Sequence, residues 1–448
     1  MTTAMIGDSG YTATTGTFSH VMKEWYENAM ESLVPQMFPL YDWLKENGSV
    51  VKPKPQGKYI VFDLMTKLGS GAGFRGEGDY LPTAGQTTGV QGKVPYLRGL
   101  KGRVEISAEA MDTKEGSGAF ANILDTEIQG LLTEFKYLGS AAMWGNGDGL
   151  LAKFGSTGVS TTSLTVQCEE DYNSCYPGSR WLYEGLSVIP VVSTSSYAVD
   201  TSWTAATTIS AITSDTACTL SASKTQETAV RYLVEHQCSD NTNSTQMTKG
   251  SVTLATASSF RGPMGINAMA DDGTFSSSYC GISESTYPQW KSTISHNSGT
   301  ARSITTDLLY KLFYKFTRYS GTMSPDVTAW TNTDVYREIV DLMENQIQFK
   351  PRELKPGFQH FDVMIDGVGI PFKLDHMCPS FIYFLDPKFI RFAQKAAPQI
   401  ADNHGSSFRW VADKDCYEQV WRWIFQLYTN NRRKHAKLTD ISCTIASR

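Results

Sequence analysis

Gly71-Ala-Gly-Phe-Arg-Gly76 is the segment whose residue types and spacing come nearest to a cofactor site, since it matches GxGxxG and follows a strand-like stretch. A dinucleotide site needs those glycines to open a helix whose N-terminus meets the pyrophosphate. Here Glu77-Gly-Asp-Tyr-Leu-Pro82 follows, which starts no good helix and adds acidic charge. The spacing therefore predicts a loop that uses glycine's permissive backbone. Gly7-Asp-Ser-Gly10 matches a serine-protease nucleophile signature, but it lies in a polar tail and continues off the pattern as Tyr11-Thr-Ala13. Asn146 and Asp148 among glycines resemble half a calcium loop. The acidic residue that should close a twelve-residue loop is missing, so a helix-terminating turn is predicted.

The seven histidines are scattered, and Asp375-His376 is the one local acid–histidine pair. Without a partner at motif spacing, this pair reads as structural. No Ser/His/Asp set or paired carboxylates converge, which argues against an enzyme. The eight cysteines form no CxxC pair, so zinc is disfavoured and free thiols, several buried, are expected. No cofactor is expected. Asn430-Asn-Arg-Arg-Lys-His-Ala-Lys437 is the one basic run, with Arg432 and Arg433 at its centre. It reads either as a contact with phosphate or with an acidic patch on a neighbour, or as a solvated strand end.

Composition narrows the class. In 448 residues, hydrophobic content is 41% and charged content 19%, as in globular chains. A net charge of −5 gives no basic field able to hold a polyanion tightly. The ten tryptophans suit cores and subunit interfaces alike. The first residues lack a basic and apolar leader pattern, and no apolar run is long enough to span a bilayer. A soluble product of a cytosol, with no membrane partner, is expected. Met1–Gly16 is polar and cannot bury enough apolar surface to order itself, which suggests neighbouring subunits as its support.

The elements that must position these residues follow from periodicity. Residues 17–33 read as an amphipathic helix through Phe18, Met22, Trp25, Ala29 and Leu33, broken by Pro35 and Pro39. A short helix follows through Tyr41, Trp43 and Leu44. Ile60, Phe62 and Leu64 alternate as a strand. The glycine-rich stretch and a returning segment, Lys93 to Ile106, complete a long two-stranded excursion with a charged tip. Such a hairpin is marginal alone and needs something outside itself to lie on. Phe120–Met143 keeps helical spacing for about six turns, ended by Gly145-Asn-Gly-Asp-Gly149. Residues 156–300 turn Ser/Thr-rich and β-like, and helical spacing returns at 307–319 and 332–346. Strands are expected at Val363–Ile365, Phe381–Leu385 and Tyr417–Leu427.

In this order the elements resemble a tailed-bacteriophage major capsid protein of the HK97-like fold. The arm, the glycine-tipped excursion at 58–106, the helix at 119–144, and Trp144-Gly-Asn-Gly-Asp-Gly-Leu-Leu-Ala152 match an N-arm, E-loop, spine helix and the turn after it. Arg180-Trp-Leu-Tyr-Glu-Gly-Leu-Ser-Val188, Tyr287–Ser292, Thr305–Leu309, Ile382–Asp386 and Asn431–Thr439 resemble later segments. The resemblance implies an α+β fold with an N-terminal arm at 1–57 and an E-loop at 58–106. It places a peripheral domain with the spine helix at 107–155, a β-rich module or insertion at 156–300, and a peripheral and axial core at 301–448.

It further implies a virion coat, assembled in a bacterial host's cytoplasm as hexamers and pentamers into an icosahedral shell around dsDNA, for which a weakly acidic inner face is suited. Only a short arm precedes the excursion, so a separate scaffolding protein is implied. A portal protein and an outer decoration or cement protein complete the partners. The expected intersubunit contacts are Phe18 and Trp25 in the arm, Arg75, Glu77 and Asp79 at the tip, Arg98, Lys101 and Arg103 on the returning segment, and Arg432 and Arg433. Some members join subunits through Lys–Asn isopeptide bonds. Lys67, Lys93 and Lys101 with Asn332 and Asn345 supply those residue types, without a carboxylate that the sequence can pair with them. Two other readings remain: an encapsulin-like compartment around an enzyme cargo, and a carbohydrate-binding or adhesion role for the Ser/Thr-rich module.

Overall fold

A computed structural model describes residues 38–47, 50–51, 60–94, 97–108, 123–147, 149–154, 160–167, 178–192, 203, 206–225, 231–235, 262–274, 278–321, 326–343, 361–365, 368–401, 409–411 and 414–442. The helix expected over residues 17–33, Phe18, Trp25, Asn345 and the Gly7–Gly10 motif lie outside these. The first helix, Pro39–Glu46, buries Leu40, Trp43 and Leu44. Pro39 is the first residue of this helix, where its missing N–H has no partner to lose.

The strand Ile60–Lys67 alternates between half-buried and exposed residues, with Ile60, Phe62 and Leu64 inward. It pairs antiparallel with Thr88–Val94. The returning segment departs from expectation here. Only Thr88–Val94 belongs to the hairpin; Arg98–Ser107 leaves it and runs antiparallel to Cys416–Thr429 from Arg98↔Phe425 to Ser107↔Cys416. Val104 and Ile106 of this strand are buried, whereas a free hairpin strand would have left them wet. The same sheet continues through Ile390–Ile400, whose first residues lie parallel to Val50–Val51, and Arg409–Trp410.

The long helix, Ile123–Trp144, crosses this sheet at two glycines. A Cβ on Gly102 would come within 2.7 Å of Leu131 and Phe135, and one on Gly139 within 2.2 Å of the Trp423 ring. The helix stops at Gly145, and Gly147 (φ +86°) and Gly149 (φ +74°) take the left-handed conformation that turns the chain. This is the expected helix-terminating turn. Trp144, fully buried at the last helical position, donates from Nε1 to Asp375 Oδ2 at 3.0 Å. Asp375 Oδ1 accepts the Met377 N–H at 2.9 Å. The acid–histidine pair is thus a structural junction, and burial pushes the Asp375 carboxyl up against the pull of these bonds.

From Leu150 to Glu235 the chain forms a closed, antiparallel six-stranded barrel. Its strands, in order around it, are Arg231–Glu235, Leu150–Phe154, Ser160–Gln167, Ala217–Thr225, Thr207–Ser214 and Ser187–Val192. Phe154, Leu164, Val166, Val188, Trp203, Ile209, Leu220 and Leu233 are buried there. The barrel takes only the first part of the expected 156–300 stretch and starts before it. The segment 278–295 instead serves the hairpin base and a second sheet.

That second sheet is six-stranded and mixed, in the order Thr293–Ser295, His435–Leu438, Ile382–Leu385, Thr328–Thr331, Val368–Leu374 and Phe361–Ile365. Two helices share its core. Thr306–Ser320 is capped by the Thr305 hydroxyl, which accepts the Leu308 N–H, and ends at Gly321 (φ +69°). Thr333–Met343 is capped by Asn332, whose Oδ1 accepts the Val335 N–H at 2.9 Å.

Gly139→Val should force the helix off Trp423 and destabilise the subunit by about 1–3 kcal/mol or prevent folding, as read by chemical unfolding. His435 is fully buried, its Nε2 2.9 Å from Thr429 Oγ1. Burial, aided by the Arg432 charge, pushes it down to about 3. Between that value and the ordinary one near 6.5 the unfolded chain holds a proton that the folded chain lacks. Stability should therefore fall as pH drops below about 6.5, by up to about 1.4 kcal/mol per pH unit from this residue. His435→Gln should remove that share of the slope in unfolding measured from pH 7 to 4.

Candidate assembly surfaces

The loop between the hairpin strands, residues 68–87, folds on itself through glycine. A Cβ on Gly85 would meet the Ser70 N at 2.4 Å, so the two arms of the loop touch backbone to backbone. At the tip the Asp79 N–H donates to Gly76 O at 3.2 Å and the Gly76 N–H to Asp79 Oδ2 at 2.9 Å, with Gly78 at φ +83° between them. This is a turn, and no helix N-terminus exists to hold a pyrophosphate. Arg75, Glu77 and Asp79 are all exposed, and Asp79 spends one oxygen on the turn. The neighbours of these charges are apolar and were not among the expected contacts. Phe74 is fully exposed, Tyr80 is 95% exposed, Leu81 90% and Leu68 77%. Four large apolar side chains on one loop are thus left uncovered by the rest of the chain. The missed signal was apolar residues without periodicity inside a glycine-rich stretch.

The hairpin base is gripped from within. The Lys93 N–H donates to Cys280 O at 2.8 Å, Gln289 Nε2 donates to Thr66 O at 3.2 Å, and Phe62 stacks between Trp290 and Tyr428 at centroid distances of 6.0 and 6.2 Å. The tip therefore projects from a fixed root.

Arg98, Lys101 and Arg103 sit on the sheet strand opposite Phe425, Arg422 and Val420, so they are not brought to the hairpin tip. Arg103 pairs with Glu105 at 3.3 Å and Glu418 at 3.4 Å, and Lys414 joins Glu105 at 3.2 Å. These half-wet pairs add little stability. Lys101 is exposed.

Arg432 lies elsewhere than expected. It has no solvent exposure. Its Nη1 pairs with Glu284 Oε1, Nη2 lies 3.7 Å from Asp271 Oδ2, Nε donates to Met269 O at 2.9 Å and Nη2 to Ala268 O at 3.2 Å. The guanidinium also stands 4.7 Å over the Tyr279 ring. A charge so placed is consumed inside the subunit and cannot reach a neighbour. The rest of the basic run is drawn inward too: Lys434 Nζ donates to Ser320 O at 2.8 Å and Lys437 Nζ to Asn267 Oδ1 at 2.7 Å. Arg433 is half-buried and makes no ion pair among the described residues. Asn332 is 2% exposed and engaged as a helix cap, which removes it from any surface where a lysine of another copy could reach it.

Among the described residues no group of His, Cys, Asp or Glu could hold a metal ion. A cavity of about 120 Å³ lies where the long helix ends against the barrel, lined by Leu138, Ala142, Leu151, Trp181, Pro263 and Phe425 among others. Its walls are mostly apolar, with Asn146 among them, and carry no acid–base pair. Cys218, Cys280 and Cys378 are buried free thiols, and burial pushes Cys218 up to about 11.

No family model and no curated protein matches the chain. Solved structures do. The capsid asymmetric unit of cyanophage A-1(L) is similar over 96% of this chain and 99% of its own, with a TM-score of 0.55 at 12% identity. The capsid of the native GTA particle is similar over 97% of this chain and 100% of its own, with a TM-score of 0.51 at 9% identity. With the two sheets, the long helix and the projecting hairpin described above, this likeness shows that the chain has the α+β, HK97-like capsid fold.

Proposed function

We propose that this chain is the major capsid protein of a tailed phage, a structural coat subunit without enzymatic activity. It assembles as hexamers and pentamers into an icosahedral shell around dsDNA. The observation that carries this reading is the hairpin tip: Phe74, Tyr80 and Leu81 stand almost wholly exposed on a rooted projection of a capsid fold. Water is a poor environment for three such side chains, and a neighbouring copy in a closed lattice would cover them. Many modest contacts of this kind, repeated by symmetry, make a stable shell from weak pairs. A separate scaffolding protein, a portal and an outer decoration protein are the partners this function calls for, and the virion is its location.

Expression of the full chain, alone and with candidate scaffolding proteins, followed by electron microscopy, tests the reading. Closed particles or six- and five-membered rings are expected; a monodisperse monomer under every condition would overturn it. At the tip, Arg75→Ala with Glu77→Ala should reduce closed-particle yield several-fold while leaving the unfolding midpoint of the subunit unchanged, because rim charges set register more than they add affinity. Wild-type yields from this double variant would exclude a role for the tip charges.

A further inference from the structure

The six-stranded sheet carries a helix towards each end of its strand order. Thr306–Ser320 packs over Thr293–Ser295 and His435–Leu438, the first two strands, and Thr333–Met343 packs against Val368–Leu374, the last but one. Both bury their apolar faces in the same core. Their outer residues differ in sign. The first helix carries Lys311, Lys315 and Arg318 against Asp307; the second carries Asp334, Glu338 and Asp341 against Arg337.

On the first helix Lys311 pairs with Asp307, and Lys315 Nζ donates back to Ile294 O at 2.9 Å. Arg318 makes no ion pair among the described residues. Around it Tyr310, Tyr314 and Tyr319 are 37%, 52% and 50% exposed. Tyrosine with arginine is the composition in which binding energy concentrates at protein interfaces. On the second helix Asp341 meets Arg337 only at 3.9 Å, and burial together with Asp215 of the barrel pushes the Asp334 carboxyl up. The acidic surplus there extends onto the barrel turn.

We infer that these two faces meet between neighbouring copies of the chain, the Tyr310, Tyr314 and Arg318 face of one on the Asp334, Glu338 and Asp341 face of the next. Either face against itself would oppose like charges. Because the faces lie towards opposite ends of one sheet, the contact is head to tail, and it closes into a ring when the rotation per copy divides a full turn. The tyrosine hydroxyls and the Arg318 guanidinium supply the donors that carboxylates accept.

The inference rests on the shell reading, and a charge swap in the full-length chain separates the two. Rings are counted by electron microscopy and sedimentation at low salt. Arg318→Glu alone and Asp341→Lys alone should each lower ring yield about tenfold or more, and the two together should restore it to within about threefold of wild type. Arg318, Asp341 and Lys311 are exposed and Glu338 is half-buried, and Lys311→Glu with Glu338→Lys gives a second pair should either first variant fail to fold. Wild-type rings from both single variants would overturn the inference, as would loss in both without rescue in the pair. A wild-type chain that forms neither rings nor closed particles would instead sink the shell reading, and the inference with it.

Discussion

A charge cannot sit in a protein interior unless its partners are built around it, and Arg432 imposes that demand on most of this subunit. Glu284, Asp271 and two backbone carbonyls surround its guanidinium, while its own carbonyl accepts the Ser292 hydroxyl at 2.8 Å. These partners come from three separate stretches of chain. The turn at 432–434 leads directly into His435–Leu438, the second strand of the six-stranded sheet. Glu284 belongs to the segment that grips the hairpin through Cys280 and Trp290. One ion therefore fixes the sheet, the hairpin root and the connection between them. Removing the arginine would strand two carboxylates away from water, a far heavier penalty than the pair's net worth.

A second constraint is steric. The long helix approaches the sheet closely only because Gly102 and Gly139 leave room for Leu131, Phe135 and the Trp423 ring. At its far end Trp144 locks onto Asp375 and packs against Trp330 and Tyr383, with centroids 6.0 and 5.5 Å away. The helix is thereby tied to both sheets at once, and the barrel begins six residues later. A fold fixed so firmly in its middle can project a hairpin that makes few contacts of its own.

What the sequence disclosed follows the range of the interactions. Local periodicity located the hairpin's first strand, the long helix, and the helices at 306–320 and 333–343, because their apolar spacing is set by nearest neighbours. The helix-ending turn after Trp144 was legible from its glycines. The destination of Arg98–Ser107 was not, since alternation reads the same whichever strand pairs with it. Arg432 misled for a related reason: a basic run signals surface unless the acids that bury it are known, and Glu284 lies 148 residues away. Ile390–Ile400 and Val368–Leu374 lie in a strand-like region but were not delimited, the former because the polar Arg391, Gln394 and Lys395 interrupt its apolar pattern even though Gln394 is buried.

The barrel has a property that matters most when many copies crowd together. Its last strand in order, Ser187–Val192, pairs back onto the first, Arg231–Glu235, so every strand has a neighbour on both sides and the barrel has no edge strand among the described residues. An open sheet packed at such density would offer each neighbour a template for strand addition, the first step towards fibrous aggregation. Closure removes that template. Substitutions on the outside of the barrel then alter only what its side chains touch, while the closed strand order keeps its shape.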